Sequence, residues 1–249
     1  MSTMSGHSKW ATIKHKKAVT DARRGKVFTK LLKEITVATR MGGGDPKGNP
    51  RLRSAILEAR SNSVPNDTID RAVKKGSGEL GGATFEELVY EGYGPGGSAI
   101  LVEAATDNRN RTAGEIRHIF TKNGGNLSEA GAVSWMFDRR GYFAVDRETQ
   151  SEDAFMELGL ELGVDDISTD GEAYEIFTSV EDFLRVQEEL AQKKVATLVG
   201  ELSMIPQTYM ELASDKVRST MRLMEALEDH DDVQKVWGNF EVEPEAVDS

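Results

Sequence analysis

The chain has 249 residues, of which 38% are hydrophobic and 29% charged, with no cysteine and a formal net charge of −11. This excludes a disordered chain, a bilayer-spanning run of ~20 apolar residues, disulfides, thiolate nucleophiles and cysteine-ligated zinc, and it suggests two or three globular domains in a reducing cytoplasm. The charge is unevenly divided: residues 1–78 carry 17 Lys and Arg against 6 Asp and Glu, a net +11, and the remaining 171 carry 14 against 36, a net −22.

Such a division points to a polyanion-binding segment attached to an acidic body. The first twenty residues hold Lys9, Trp10, Lys14, His15, Lys16 and Lys17, with no apolar stretch of the kind a secretory signal needs. They have too few apolar residues to fold alone, so they read as an extended arm. Its lysines suit phosphate contacts, and Trp10 is either a stacking platform or an anchor onto its own domain.

Residues 21–40 predict a helix that stops at the glycines from Gly42 to Gly44. At about 100° per residue, Arg23, Lys26, Lys30, Lys33 and Arg40 share one side, while Phe28, Leu31, Leu32, Ile35 and Ala38 lie opposite, and Arg24 is counted with the candidate contacts. A face of this kind, open to solvent, would meet a nucleic-acid backbone. A second helix follows Asn49 as N-cap and Pro50 at its first position, carrying Arg51 and Arg53 beside Leu52, Ala55, Ile56 and Ala59. A third opens after Pro65 and ends at Gly76, and the three assemble most simply by facing their apolar stripes inward.

From residue 85 onward, strands alternate with helices. Strands are predicted at 88–90 and 99–102, a helix at 111–122, and a hairpin from strands at 133–137 and 142–145 turning at Arg139, Arg140 and Gly141. A helix near 152–162, strands near 166–168 and 174–178 and a helix at 180–192 come next. The chain closes with a strand near 198–205, a helix near 216–227 and a strand at 233–237. The fold class predicted is α+β: a basic three-helix N-terminal domain followed by two α/β sandwich domains, one inserted in the other. The divisions are 1–78 with its arm, 79–133 together with 206–240, an inserted 134–205, and an acidic tail at 241–249.

Several motifs invite a chemical reading. Gly92 to Gly97 spell G-x-G-x-x-G, but a strand rather than a helix follows and Pro95 removes a donor, so a hairpin loop is predicted instead of a dinucleotide site. Arg109 and Arg111 stand where a helix begins and offer backbone contacts, with capping by Asp107 and Asn110 as the alternative role of that segment. The four histidines show no paired spacing for a metal, and no nucleophile-elbow or P-loop element occurs, so no catalytic residue, metal or cofactor is predicted. The acidic run of Glu225, Glu228, Asp229, Asp231 and Asp232 reads as a solvated face.

Four motifs in order, G-H-S-K-W at 6–10, K-H-K-K-A-x-x-D-A-R-R-G-K-x-F-T-K-L at 14–31, Y-E-G-Y-G-P-G-G at 90–97 and T-D-N-R-N-R-T at 106–112, resemble the YebC/PmpR family. The resemblance runs from Gly6 to about Trp237, with no matching motif at 149–196 or after Asn239. It implies a helical N-terminal domain with two α/β domains, a cytoplasmic location and no enzymatic activity. Bacterial members are described as probable transcriptional regulators, and mitochondrial relatives as translational activators of cytochrome c oxidase synthesis. The partner implied is therefore nucleic acid, either promoter DNA or ribosomal RNA with the ribosome, and neither a membrane nor a small-molecule substrate. Cations without base-reading side chains favour backbone contacts and suit an RNA or ribosomal target, where shape and phosphate suffice, more easily than DNA.

Overall fold

The computed structural model describes residues 21–81, 84–171 and 173–241, the first four of them as backbone only. Helix α1 (Asp21–Gly42) ends where Gly43 takes a φ of 86° and donates its N–H to Thr39 O at 2.8 Å. Asn49 then closes two helices at once. Its side-chain oxygen accepts from Leu52 N at 3.1 Å to cap α2 (Pro50–Ser61), and its amide donates to Ala38 O at 2.7 Å and to Gly43 O at 2.8 Å at the end of α1. Helix α3 (Asn66–Gly76) completes a three-helix unit around Leu31, Ile35, Ala38, Leu52, Ile56, Ala59 and Ile69.

Strands β1 (Glu86–Tyr93) and β2 (Ala99–Thr106) form an antiparallel hairpin whose loop carries Gly96 and Gly97 at φ of 80° and 86°. The loop leads into a strand and Thr220 donates to Pro95 O at 3.3 Å, so the glycine-rich motif is a packed turn. After α4 (Arg109–Lys122) and the short β3 (Asn126–Leu127), the chain leaves this sheet and returns to it only with β9 (Val233–Gly238), in the order β3-β1-β2-β9. Helices α4 and α7 (Ser214–Glu228) bury Ile116, Phe120, Leu223, Met224 and Leu227 against Ile100, Val102, Val233 and Val236 on one face of the sheet.

Between these segments lies a second sheet, β5-β6-β4-β7, built from β4 (Phe137–Asp146), β5 (Asp166–Ser168), β6 (Ala173–Thr178) and β7 (Thr197–Pro206). Helices α5 (Glu152–Leu162) and α6 (Phe183–Gln192) cover it through Phe155, Leu158, Leu162, Phe183, Val186 and Leu190. The mixed α+β architecture is the one the sequence predicts. The predicted hairpin at Arg139, Arg140 and Gly141 is not: β4 is one strand through all three, and residues 134–136 form a single 3₁₀ turn. Gly141 marks a close approach rather than a turn, since a Cβ there would meet the Thr178 hydroxyl and the Phe183 ring. The pair β8 (Met210–Glu211) and β10 (Phe240–Glu241) is too short for sequence periodicity to register.

Candidate nucleic-acid interface

Of the predicted contact residues, Lys9, Trp10, Lys14, His15, Lys16 and Lys17 lie outside the described residues, as do the side chains of Arg23 and Arg24. Those that follow along α1 do not form an open cationic face. Lys26 reaches Asp229, its ammonium 3.4 Å from the carboxylate and 3.1 Å from the backbone carbonyl. Lys30 donates to Glu228 O at 2.5 Å. Both carbonyls belong to the C-terminal end of α7, where the helix dipole concentrates negative charge.

Lys33 goes further and is buried. Its ammonium donates to Asp232 Oδ1 at 3.0 Å, Asp231 O at 2.9 Å and Ala105 O at 3.1 Å, and it lies 5.2 Å from the centre of the Phe85 ring. Of the acidic run predicted to be solvated, Asp229 and Asp231 are exposed, but Asp232 is buried and its carboxylate is the counter-charge of Lys33. Periodicity placed each charge correctly on its own element, but the meeting of residues 33 and 232 is tertiary and leaves no local signal.

Asp232 gathers donors from three elements. Beside Lys33, the Thr112 hydroxyl donates to Oδ2 at 2.7 Å, Arg111 at 2.8 Å and Thr106 at 3.2 Å. Burial acts to raise the pKa of this carboxyl, but the hydrogen bonds from Thr112, Arg111 and Lys33 outweigh it and hold the group well below the ordinary aspartate range. Glu115, His230 and Asp232 also bring their ligand atoms within 4.8 Å of one another. Those atoms are engaged: His230 Nε2 lies 2.8 Å from Glu115, His230 Nδ1 accepts the Asp232 N–H at 3.1 Å, and Asp232 holds the donors just named.

Arg51 is half-buried and likewise paired within the chain. It donates to both Glu34 oxygens at 2.7 and 2.9 Å and to both oxygens of Glu87, tying α2 to α1 and β1. Burial alone would lower its basicity, yet the hydrogen bonds to Glu87 and Glu34 carry the guanidinium well above its ordinary value. Arg40 stays exposed and donates to Thr84 at 3.0 Å.

The cations left open are elsewhere. Lys47, Arg71 and Lys74 are exposed and Arg53 is half-buried, and none of the four has an ion pair among the described residues. Arg109 is exposed at the start of α4, where Asn108, rather than Asp107 or Asn110, is the N-cap and accepts from Arg111 N at 3.1 Å. Arg111 itself is pinned by Asp107 and Asp232. Further along α4, Arg117, His118 and Lys122 are exposed, a group that counting charge by segment overlooked because the surrounding body is acidic. The same helix exposes Gly114, which disfavours it by about 1 kcal/mol relative to alanine.

Two family models match the chain: the TACO1/YebC protein N-terminal domain over residues 8–79 and the TACO1/YebC second and third domain over residues 85–240. A probable transcriptional regulatory protein of Chlorobium luteolum is 53% identical over 99% of both chains, and one of Geobacter sulfurreducens is 52% identical over 98% of this chain and 99% of its own. A crystal structure of a conserved hypothetical protein from Aquifex aeolicus aligns with a TM-score of 0.88 at 46% identity, covering 96% of this chain and 99% of that one.

Proposed function

Because the chain belongs to the TACO1/YebC family, whose curated relatives are named probable transcriptional regulatory proteins, we propose that it regulates transcription by binding DNA, without catalysing a reaction. One observation carries this reading: after the internal pairs of Lys26, Lys33 and Arg51 are set aside, Lys47, Arg53, Arg71 and Lys74 still stand without ion pairs among the described residues on the N-terminal helices and the loop between the first two. Exposed cations that are not held in an ion pair are the means by which phosphates are gripped. The acidic body then limits adhesion to nucleic acid at large. Lys26, Lys30 and Lys33 take no part, since engaging phosphate would strip the first two from the end of α7 and the third from Asp232.

The test is charge reversal of Lys47, Arg71 and Lys74, all exposed, in the full chain. For every phosphate that the variant no longer grips, the slope of log affinity against log salt should become shallower by about 0.9 on duplex DNA, with binding weakened on every sequence alike. A triple variant that binds labelled duplex as the wild type does, with the same slope, removes the reading. Crosslinking in cells with sequencing of the recovered nucleic acid assigns the target: promoter DNA supports transcription, and ribosomal RNA in its place overturns that assignment.

A further inference from the structure

Gly114 lies midway along α4, exposed, and a Cβ added there would meet nothing within 4 Å. Nothing in the chain's own packing calls for a glycine at this position, and helix propensity opposes one. Its four neighbours on the helix surface, three and four residues away, are Asn110, Arg111, Arg117 and His118, all exposed and all able to donate hydrogen bonds. Lys122 follows one turn beyond His118, and the opposite side of the helix, Thr112, Ile116 and Phe120, is buried. The helix holds 4 of the 14 Lys and Arg found after residue 78 but only 1 of the 36 carboxylates, Glu115, and that one pairs with His230.

We infer that this face of α4 is a second docking surface for a nucleic-acid backbone, with the phosphodiester chain crossing the helix at Gly114 and Asn110, Arg117, His118 and Lys122 contacting its oxygens. The absence of a side chain lets the backbone of the partner approach the helix closely, and the ring of donors fixes the phosphates around that point. Arg111, held by Asp107 and Asp232, shares Asp232 with Lys33 of α1, so this helix adjoins the N-terminal unit. A long polyanion can run from one to the other, which a small anion or short acidic peptide cannot. The inference rests on the nucleic-acid reading above and adds a surface to it.

Two variants of the full chain test it, Arg117→Glu/Lys122→Glu and Gly114→Ala, titrated against labelled duplex DNA and labelled single-stranded RNA, with poly-glutamate as competitor. The charge reversal should weaken binding about tenfold or more and make the salt slope on duplex shallower by about 1.8. Gly114→Ala should raise the melting temperature by about 2–4 °C and still weaken binding, a combination that damage to the fold cannot produce. If the Lys47, Arg71 and Lys74 reversal loses binding while both α4 variants bind as the wild type does, this inference falls and the proposed function stands. If none of the variants changes binding, both fall. Displacement of nucleic acid by poly-glutamate at matched charge concentration overturns the assignment of the partner, and unchanged binding by Gly114→Ala alone overturns the close crossing at that residue.

Discussion

Asp232 is 6% exposed and Lys33 is 9% exposed, so each depends on the other for its charge to be tolerated. Replacing Asp232 by Asn leaves the ammonium of Lys33 buried beside carbonyls alone, and breaking a buried pair in this way destabilises by about 3 kcal/mol or more. Urea unfolding of Asp232→Asn should show that loss as a lower midpoint with an unchanged slope; a midpoint equal to the wild type would mean the pair is not buried in solution. The same carboxyl sets an acid dependence. Because its folded titration lies below the ordinary value of 3.8, its contribution is whole above that value and is lost as pH falls toward the folded titration point. The wild type should therefore lose more of its melting temperature than Asp232→Asn between about pH 5 and pH 3.

At the level of elements, Gly76 shows how closely the helices of the N-terminal unit pack. A Cβ there would lie 2.5 Å from Thr36 O and 2.6 Å from Thr39 Cβ, both on α1. Gly76→Ala must push α3 away from α1 and should destabilise by about 1–3 kcal/mol, read by thermal unfolding; a neutral or stabilising effect would show that the contact is loose. Most elements were legible in sequence because their signals are local. Asn49 with Pro50 announces α2, and the period of Phe155, Leu158 and Leu162 announces α5. Where the sequence misleads, the cause is a distant partner. Gly141 resembles a turn residue because the Thr178 and Phe183 that require it are more than thirty positions away. The cations of α1 resemble a nucleic-acid surface for the same reason: Val37, Ala38 and Thr39 are buried along with Lys33, because the helix is covered by α2 and α3 on one side and by the sheet and α7 on the other. Of the candidate site, the arginines at the start of α4 were visible, but the rest of its exposed face, Gly114 included, offers no pattern until the fold shows which side is covered.

Across the whole molecule, β9 joins the two sheets. Lys235 donates to Glu201 at 2.7 Å and to Leu202 O at 3.0 Å, and Trp237 Nε1 donates to the buried Ser203 at 2.8 Å, all three on β7. The N-terminal helices attach to the same region through Asp232 and Arg51. With buried polar contacts at both junctions, unfolding should be a single transition that coincides when followed by backbone circular dichroism and by tryptophan fluorescence. Two separated transitions would show that the parts melt independently.

Lys33 joins α1 to Asp232, 199 positions later in the chain. During synthesis the first helix therefore emerges long before the carboxylate that receives Lys33 exists, and contacts of such separation form slowly. A nascent or truncated chain ending ahead of residue 232 leaves Lys33 without its carboxylate, an ammonium that can attract a polyanion. The arrival of Asp232 ahead of β9 withdraws it, so that the finished protein differs from its own precursor in the positive charge it shows to the cell.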